Sequence, residues 1–254
     1  MKVRRIEILG VPVDCVDMQT ALGIADSMIG LARPNAILAI NPEKVMRARE
    51  DGQILSQIKA ADLLIPDGIG VVFAVRLLEL CKIEQVPGSE LMPALCDLAA
   101  RKGYRIFLFG SSIDVNRCAA QRIQETYPGI KIVGRRDGYL KEQEIPDLIR
   151  QINSSGADIL FVGLGSPKQE HWICNHLSQL NVKICQGVGG TFDVICGNVR
   201  RAPVLMRKLH LEWLYRLILQ PKRFFRQTNL VKFAYLVVKE KIKRLGSRHD
   251  RRSA

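Results

Sequence analysis

Ile159-Leu160-Phe161-Val162-Gly163-Leu164-Gly165-Ser166-Pro167-Lys168-Gln169-Glu170 carries the signal from which the rest of the architecture follows. Five consecutive residues without a polar side chain predict a strand buried on both faces, and the glycines predict a tight turn after it. Pro167 can open a helix at its first turn, which the following pattern extends over 168–179. The same alternation recurs on either side. Ala36–Ile40, Leu63–Ile65, Arg105–Phe109, Lys131–Val133 and Lys183–Gln186 read as strands. Helical patterns lie around 43–60, 70–80, 90–101, 114–126 and 141–153. Short strands apolar on both faces and separated by helices predict an α/β fold, a Rossmann-like parallel sheet covered on both sides. Ahead of it, Arg4–Leu9 and Val13–Val16 flank Gly10-Val11-Pro12 and predict a short hairpin. Asp17 can cap a helix running to about Leu31.

The chain of 254 residues is 47% hydrophobic and 25% charged, which excludes collagen-like, low-complexity and fully disordered classes. No run of 18 apolar residues is present, and Met1–Glu7 lacks the apolar segment of a secretory signal, so a cytoplasmic chain is expected. The seven cysteines form no C-x-x-C pair and sit mostly in apolar runs, so they read as small buried hydrophobes in a reducing compartment, with a disulfide framework or a zinc site as the weaker alternative. The histidines show no H-E-x-x-H spacing, and no metal is expected.

Charge divides the chain. From Val199 onward there are 16 Lys and Arg against 3 acidic residues, whereas the preceding part is balanced at 22 of each. The boundary predicts a catalytic or binding domain over 1–198 and a basic helical appendage over 199–254. Phe224, Val231, Tyr235, Val238 and Ile242 recur at helical spacing, with Lys222, Arg223, Arg226, Lys239, Lys241 and Lys243 mainly off that stripe. A basic amphipathic helix suits an anionic membrane surface; the alternative is a terminal helix that packs its stripe on the core. Nucleic acid is not expected, because no helix-turn-helix, zinc-finger or RNP signature accompanies the charge.

In an open parallel sheet, ligands bind beyond the carboxyl ends of the strands. The segments predicted there are polar and glycine-rich: Asn41-Pro42-Glu43, Pro66-Asp67-Gly68, Gly110-Ser111-Ser112, Asp137-Gly138-Tyr139, Gly163–Glu170 and Gly187–Asp193. Glycines let backbone N–H groups approach a phosphate, so a diphosphate nucleotide is the expected ligand. Neither a complete dinucleotide fingerprint nor a G-x-x-x-x-G-K-[ST] loop is present, which disfavours a nicotinamide oxidoreductase. Asp67 has two readings, a proton acceptor at the mouth of the crevice or an N-cap for the next helix, and Asp193 shares the ambiguity.

Together with Tyr127-Pro128-Gly129, Arg201-Ala202-Pro203 and Leu211-Glu212-Trp213-Leu214-Tyr215-Arg216, these strings stand in the order found in the WecG/TagA/CpsF glycosyltransferase family. The chain resembles that family from about Ile6 to Arg226. The resemblance implies an inverting, metal-independent transferase that uses a UDP-sugar and needs no cofactor. It implies an undecaprenyl-diphosphate-linked sugar as acceptor, at the inner face of the cell membrane. N-acetylmannosamine or its uronate is the implied sugar, with UDP-glucose as the alternative donor. Asp67 matches the family's proposed base and Gln169 its active-site glutamine; Asn41 belongs to the same catalytic set. Gly110, Ser111, Asp137, Gly138, Tyr139, Gly165, Glu170, Gly189, Gly190 and Asp193 are the implied donor-binding positions. Arg216, Arg223 and Arg226 fall where the family's appendage carries arginines that close the site. Ala39 stands where teichoic-acid members often have Thr, and Gln85 where Arg is common. Whether the chain self-associates is left open.

Overall fold

The structure, a computed structural model, describes residues 3–199 and 224–250, together with 203, 206 and 215. The chain opens with β1 (Arg5–Ile8), β2 (Val11–Asp14) and α1 (Met18–Ile29), then β3 (Asn35–Ile40), α2 (Pro42–Glu50), α3 (Gly52–Ala60), β4 (Leu63–Pro66) and α4 (Ile69–Leu77). It continues with α5 (Gly88–Lys102), β5 (Arg105–Gly110), α6 (Ile113–Thr126), β6 (Lys131–Arg136) and α7 (Ile145–Ser155). Then come β7 (Ile159–Gly163), α8 (Lys168–His176), β8 (Ile184–Gly187), α9 (Thr191–Ile195) and α10 (Phe224–Asp250).

Among the described residues, β1 and β2 form an antiparallel hairpin, and the other six strands form a parallel sheet in the order β4-β3-β8-β7-β5-β6. The strand residues divide by parity, as a pleat requires. Leu38, Ile40, Leu64, Phe107, Phe109, Leu160, Val162 and Cys185 pack with the hairpin, α2, α3, α4, α7, α8 and α10. Ile37, Ala39, Leu63, Ile65, Ile106, Leu108, Ile159, Phe161 and Ile184 pack with α1, α5, α6 and α9. Two apolar layers therefore clamp one sheet, as the both-face strand pattern predicts.

The local signals account for most boundaries. Asp17 caps α1 by accepting from the Thr20 N–H at 2.7 Å. Gly103 and Gly156 close α5 and α7 in the left-handed conformation.

Several expectations are corrected. The helix expected over 43–60 is two, because Asp51 leaves the helical conformation and caps α3 through the Gln53 and Ile54 N–H groups. The hairpin turns at Leu9-Gly10 and not at Gly10-Val11-Pro12: both positive φ values fall there, and Pro12 lies in β2 opposite Glu7. The cysteines are not all isolated buried hydrophobes. Cys15 and Cys81, 66 residues apart, form a disulfide with their Cα atoms 6.7 Å apart, and Cys174 is exposed. The hairpin packs against α4, which brings the segments after β2 and α4 together; no sequence spacing reports that contact.

The C-terminal helix docks on α2 and α4 through the face opposite to the predicted stripe. Phe233 and Val237 are buried there, and Lys241 Nζ donates to Glu79 Oε1 at 2.6 Å. Val231, Tyr235, Val238 and Ile242, the stripe itself, point to solvent at 72%, 65%, 49% and 64% exposure, with Leu245 extending the row. The expected apolar face is present, but it does not pack on the core. Arg216 and Arg223 lie outside the described residues, and Arg226 is described only as part of the helix backbone.

Candidate active site

Parallel strands deliver every strand-to-helix loop to one edge of the sheet. On one side of that edge, β3 leads into Asn41, whose side-chain oxygen accepts the Lys44 N–H at 2.9 Å and caps α2. The neighbouring β4 leads into Asp67, whose own N–H donates to the Ile40 carbonyl at 2.8 Å. Gly68, at φ +95, holds the N-cap position of α4, so Asp67 stands one residue ahead of the cap and is half-buried. A side chain at Gly68 would meet Asn41 and Pro42 at 3.7 and 3.6 Å, so Asn41 and the Asp67 turn are immediate neighbours. The 85–88 segment joins this rim, because the Val86 N–H donates to the Pro66 carbonyl at 2.8 Å. Of the two departures, Gln85 is therefore at this edge, and Ala39 is buried one residue inside the end of β3, next to Gly88.

The other side is built from the loops after β5, β6, β7 and β8. Ser111 has φ +57; its N–H donates to Gly163 O at 3.0 Å, and its carbonyl accepts from Gly138 N–H at 2.8 Å. The Ser111 hydroxyl donates to Asp193 Oδ2 at 3.2 Å, which binds the β5 loop to α9. Asp137 Oδ1 accepts the Tyr139 N–H at 3.0 Å, and the Tyr139 ring is left exposed. The glycines fall into two kinds. Gly110, Gly138 and Gly163 are packed so closely that a methyl group would collide with backbone or side chain. Gly165, Gly189 and Gly190 face open space, and the first two have positive φ. Those three leave room for a ligand beside the backbone, with the Gly189 N–H itself held by Gln169 Oε1, whereas the first three hold the loops together.

The halves are joined beneath the edge. Lys44 Nζ donates to Glu170 Oε1 at 2.6 Å, with both side chains at or below 4% exposure. Gln169 Nε2 donates to the same oxygen at 3.1 Å, while Gln169 Oε1 accepts the Gly189 N–H at 2.9 Å. Arg47 reaches the Ser166 carbonyl at 3.4 Å. Burial by itself would raise the Glu170 carboxyl. The Lys44 charge and the hydrogen bonds from Lys44, Gln169 and Ser166 outweigh it, so the group sits below the usual carboxylate range.

The structure thus brings Asn41, Asp67, Gly110, Ser111, Asp137, Gly138, Tyr139, Gly165, Gln169, Gly189, Gly190 and Asp193 to one edge. Glu170 lies just below them with its carboxylate turned to Lys44. Sequence reasoning missed Lys44. Its signal was present: it lies beside Val45 and Met46 on the buried side of α2 and directly follows the Asn41-Pro42-Glu43 string.

Known proteins resemble the chain over most of its length. The description Glycosyl transferase WecG/TagA/CpsF family matches residues 6–247. The chain is 38% identical over 204 residues to the N-acetylglucosaminyldiphosphoundecaprenol N-acetyl-beta-D-mannosaminyltransferase of Bacillus subtilis (strain 168), covering 80% of this chain and 79% of that protein. A protein of the same name from Bacillus spizizenii is 36% identical, covering 86% and 80%. One from Staphylococcus aureus (strain MRSA252) is 34% identical, covering 94% of each chain.

Proposed function

The chain belongs to the WecG/TagA/CpsF family of glycosyl transferases, and we propose that it moves N-acetylmannosamine from a UDP-sugar to an undecaprenyl-diphosphate-linked N-acetylglucosamine. The observation that carries the reading is the meeting of a half-buried carboxylate, Asp67, with glycine loops that leave open space at Gly165, Gly189 and Gly190. The open backbone at Gly165 and Gly190 receives the donor diphosphate beside Gly189, whose own N–H is held by Gln169 Oε1, and Ser111, Asp137, Tyr139 and Asp193 line the same loops around it. Asp67 removes the proton from the acceptor hydroxyl as its oxygen attacks the anomeric carbon. Attack on the face opposite the departing UDP inverts that carbon, and the transition state carries oxocarbenium character. Asn41 and Gln169 belong to the two walls between which the sugar reacts.

The sequence has no D-x-D string to hold a divalent ion against the diphosphate. Helix N-termini and the arginines of the appendage, Arg216, Arg223 and Arg226, take up the leaving-group charge in this reading. The appendage over 199–254 then serves two ends, closing the site and seating the protein on the inner face of the cell membrane. Among the described residues no helix is long and apolar enough to cross a membrane. Support for a surface contact comes from α10, whose outward row of Val231, Tyr235, Val238, Ile242 and Leu245 is accompanied by exposed Lys232, Lys239 and Lys243.

The deciding experiment presents UDP-N-acetylmannosamine, its uronate and UDP-glucose to the full chain with lipid-diphosphate-linked N-acetylglucosamine on anionic vesicles. Transfer from UDP-N-acetylmannosamine, persisting in excess EDTA, is expected. Transfer from UDP-glucose or the uronate alone would replace the donor assignment, and EDTA-sensitive transfer would restore a metal to the mechanism. No release of UDP from any pair would reduce the chain to a binding protein.

A further inference from the structure

Lys44 and Glu170 come from different sides of the cleft floor, α2 and α8, and meet in the protein interior. Lys44 follows Asn41 by three residues and donates its backbone N–H to the Asn41 side chain, so its position is fixed with the β3 end of the cleft. Glu170 Oε1 accepts from both Lys44 Nζ and Gln169 Nε2, and the Gln169 carboxamide is thereby oriented with its oxygen on the Gly189 N–H. A glutamine amide without such an anchor can rotate, and its oxygen and nitrogen exchange places. With the nitrogen turned toward Gly189, two donors would face each other, and the glycine loop would lose its contact.

Resting on the cleft assignment above, we propose that Lys44–Glu170 is a positioning pair. It fixes the Gln169 amide and, through it, the Gly189 backbone that meets the donor. Lys44 touches neither substrate in this scheme and acts through Gln169. The charged surroundings are limited. Lys44 faces Glu170 from α2, Arg47 and Glu43 pair with each other at 2.9 Å one turn along, and His171 on α8 is engaged with Gln57 of α3 at 2.8 Å. Removing Lys44 leaves Glu170 in a dry site without its cation, which favours the protonated acid. That acid keeps one acceptor oxygen but loses the charge that strengthened the bond from Gln169 and gains an O–H that can donate to Gln169 Oε1, so the amide is no longer held in one orientation.

The test compares Lys44→Met, Lys44→Arg and the charge-neutral double variant Lys44→Met/Glu170→Gln in the full chain. Two readouts are used: the pH profile of kcat, and hydrogen exchange of the Gly189 amide in the absence of substrates. Lys44→Met is expected to lower kcat at least tenfold with little change in acceptor KM. It should add an acid limb to the profile that the wild type lacks, and speed Gly189 exchange. Lys44→Arg keeps the cation beside Glu170 and should retain slow Gly189 exchange. The double variant places a neutral carboxamide at position 170, whose oxygen can again accept from Gln169, and should recover most of both losses without the added limb. Should Lys44→Met not fold, Lys44→Met/Glu170→Leu replaces it, since it removes the acceptor without leaving a buried charge; fast Gly189 exchange is then expected. Unchanged Gly189 exchange in the variant lacking the anchor, or a kcat profile that overlays the wild type, overturns the proposal. A wild type with no transfer activity would count against the function assigned above, while Gly189 exchange would still decide the pair.

Discussion

Gly110 and Gly163 sit at the ends of paired strands, so close that a methyl group on Gly110 would lie 2.5 Å from the Gly163 carbonyl. Gly110 also has φ +125, which L side chains rarely adopt. Gly110→Ala is therefore expected to destabilise the protein by more than the roughly 1 kcal/mol of an ordinary conformational mismatch. A fall in melting temperature measures it.

Gly190 gives the opposite expectation. It has φ −85, and a side chain there would meet open space. Gly190→Val should leave the melting temperature close to the wild type while weakening UDP binding by calorimetry. Equal UDP affinity would remove this amide from the donor site.

Asp67→Asn keeps the shape of the residue and removes its basicity. Turnover should fall by about 100-fold or more, the scale of a lost general base, with UDP affinity little changed. Turnover near the wild-type value would take the base role away from Asp67.

The two faces of α10 predict separable phenotypes. Replacing exposed Val231, Tyr235 and Ile242 together with Ser should leave stability within about 0.5 kcal/mol, as for other surface changes, yet sharply reduce sedimentation with anionic vesicles. Phe233→Ala, on the buried face, should cost about 3–5 kcal/mol of the helix's docking, seen as faster proteolysis of the C-terminal segment. Vesicle binding by the wild type should also weaken with added salt, because lysines flank the exposed row.

Glu170 links stability to acid. Its folded-state pKa is lowered, so its contribution is complete above the unfolded value of about 4.3 and disappears as pH falls through the folded value. The melting temperature of the wild type should therefore drop on acidification over that interval. Lys44→Met/Glu170→Gln has no such carboxylate and should show a flatter acid limb in the same thermal scans.

Much of this molecule was readable without coordinates because the relevant signals are local. The double-sided apolar strands, the cap at Asp17 and the glycine-rich ends of the strands each follow from a few adjacent residues. The family strings assign Asp67 and Gln169 by order along the chain. Other features depend on contacts between distant segments. Asp67 reads equally well as a cap until Gly68 is seen to occupy that position. The 66-residue span between Cys15 and Cys81 gives no hint that the hairpin and the end of α4 meet. Lys44 looks like any helix lysine until α8 places a carboxylate beside it.

Neighbouring residues alone were enough to establish a parallel α/β sheet, the edge at which its polar loops collect, and a cationic helix with an apolar row. Which row of α10 is covered had to wait for the assembled fold. Helical periodicity reports that residues share a face, but not what the face meets. Docking on α2 and α4 buried Phe233 and Val237 and turned Val231, Tyr235 and Ile242 outward, because burial is settled by the partner surface and not by the helix alone.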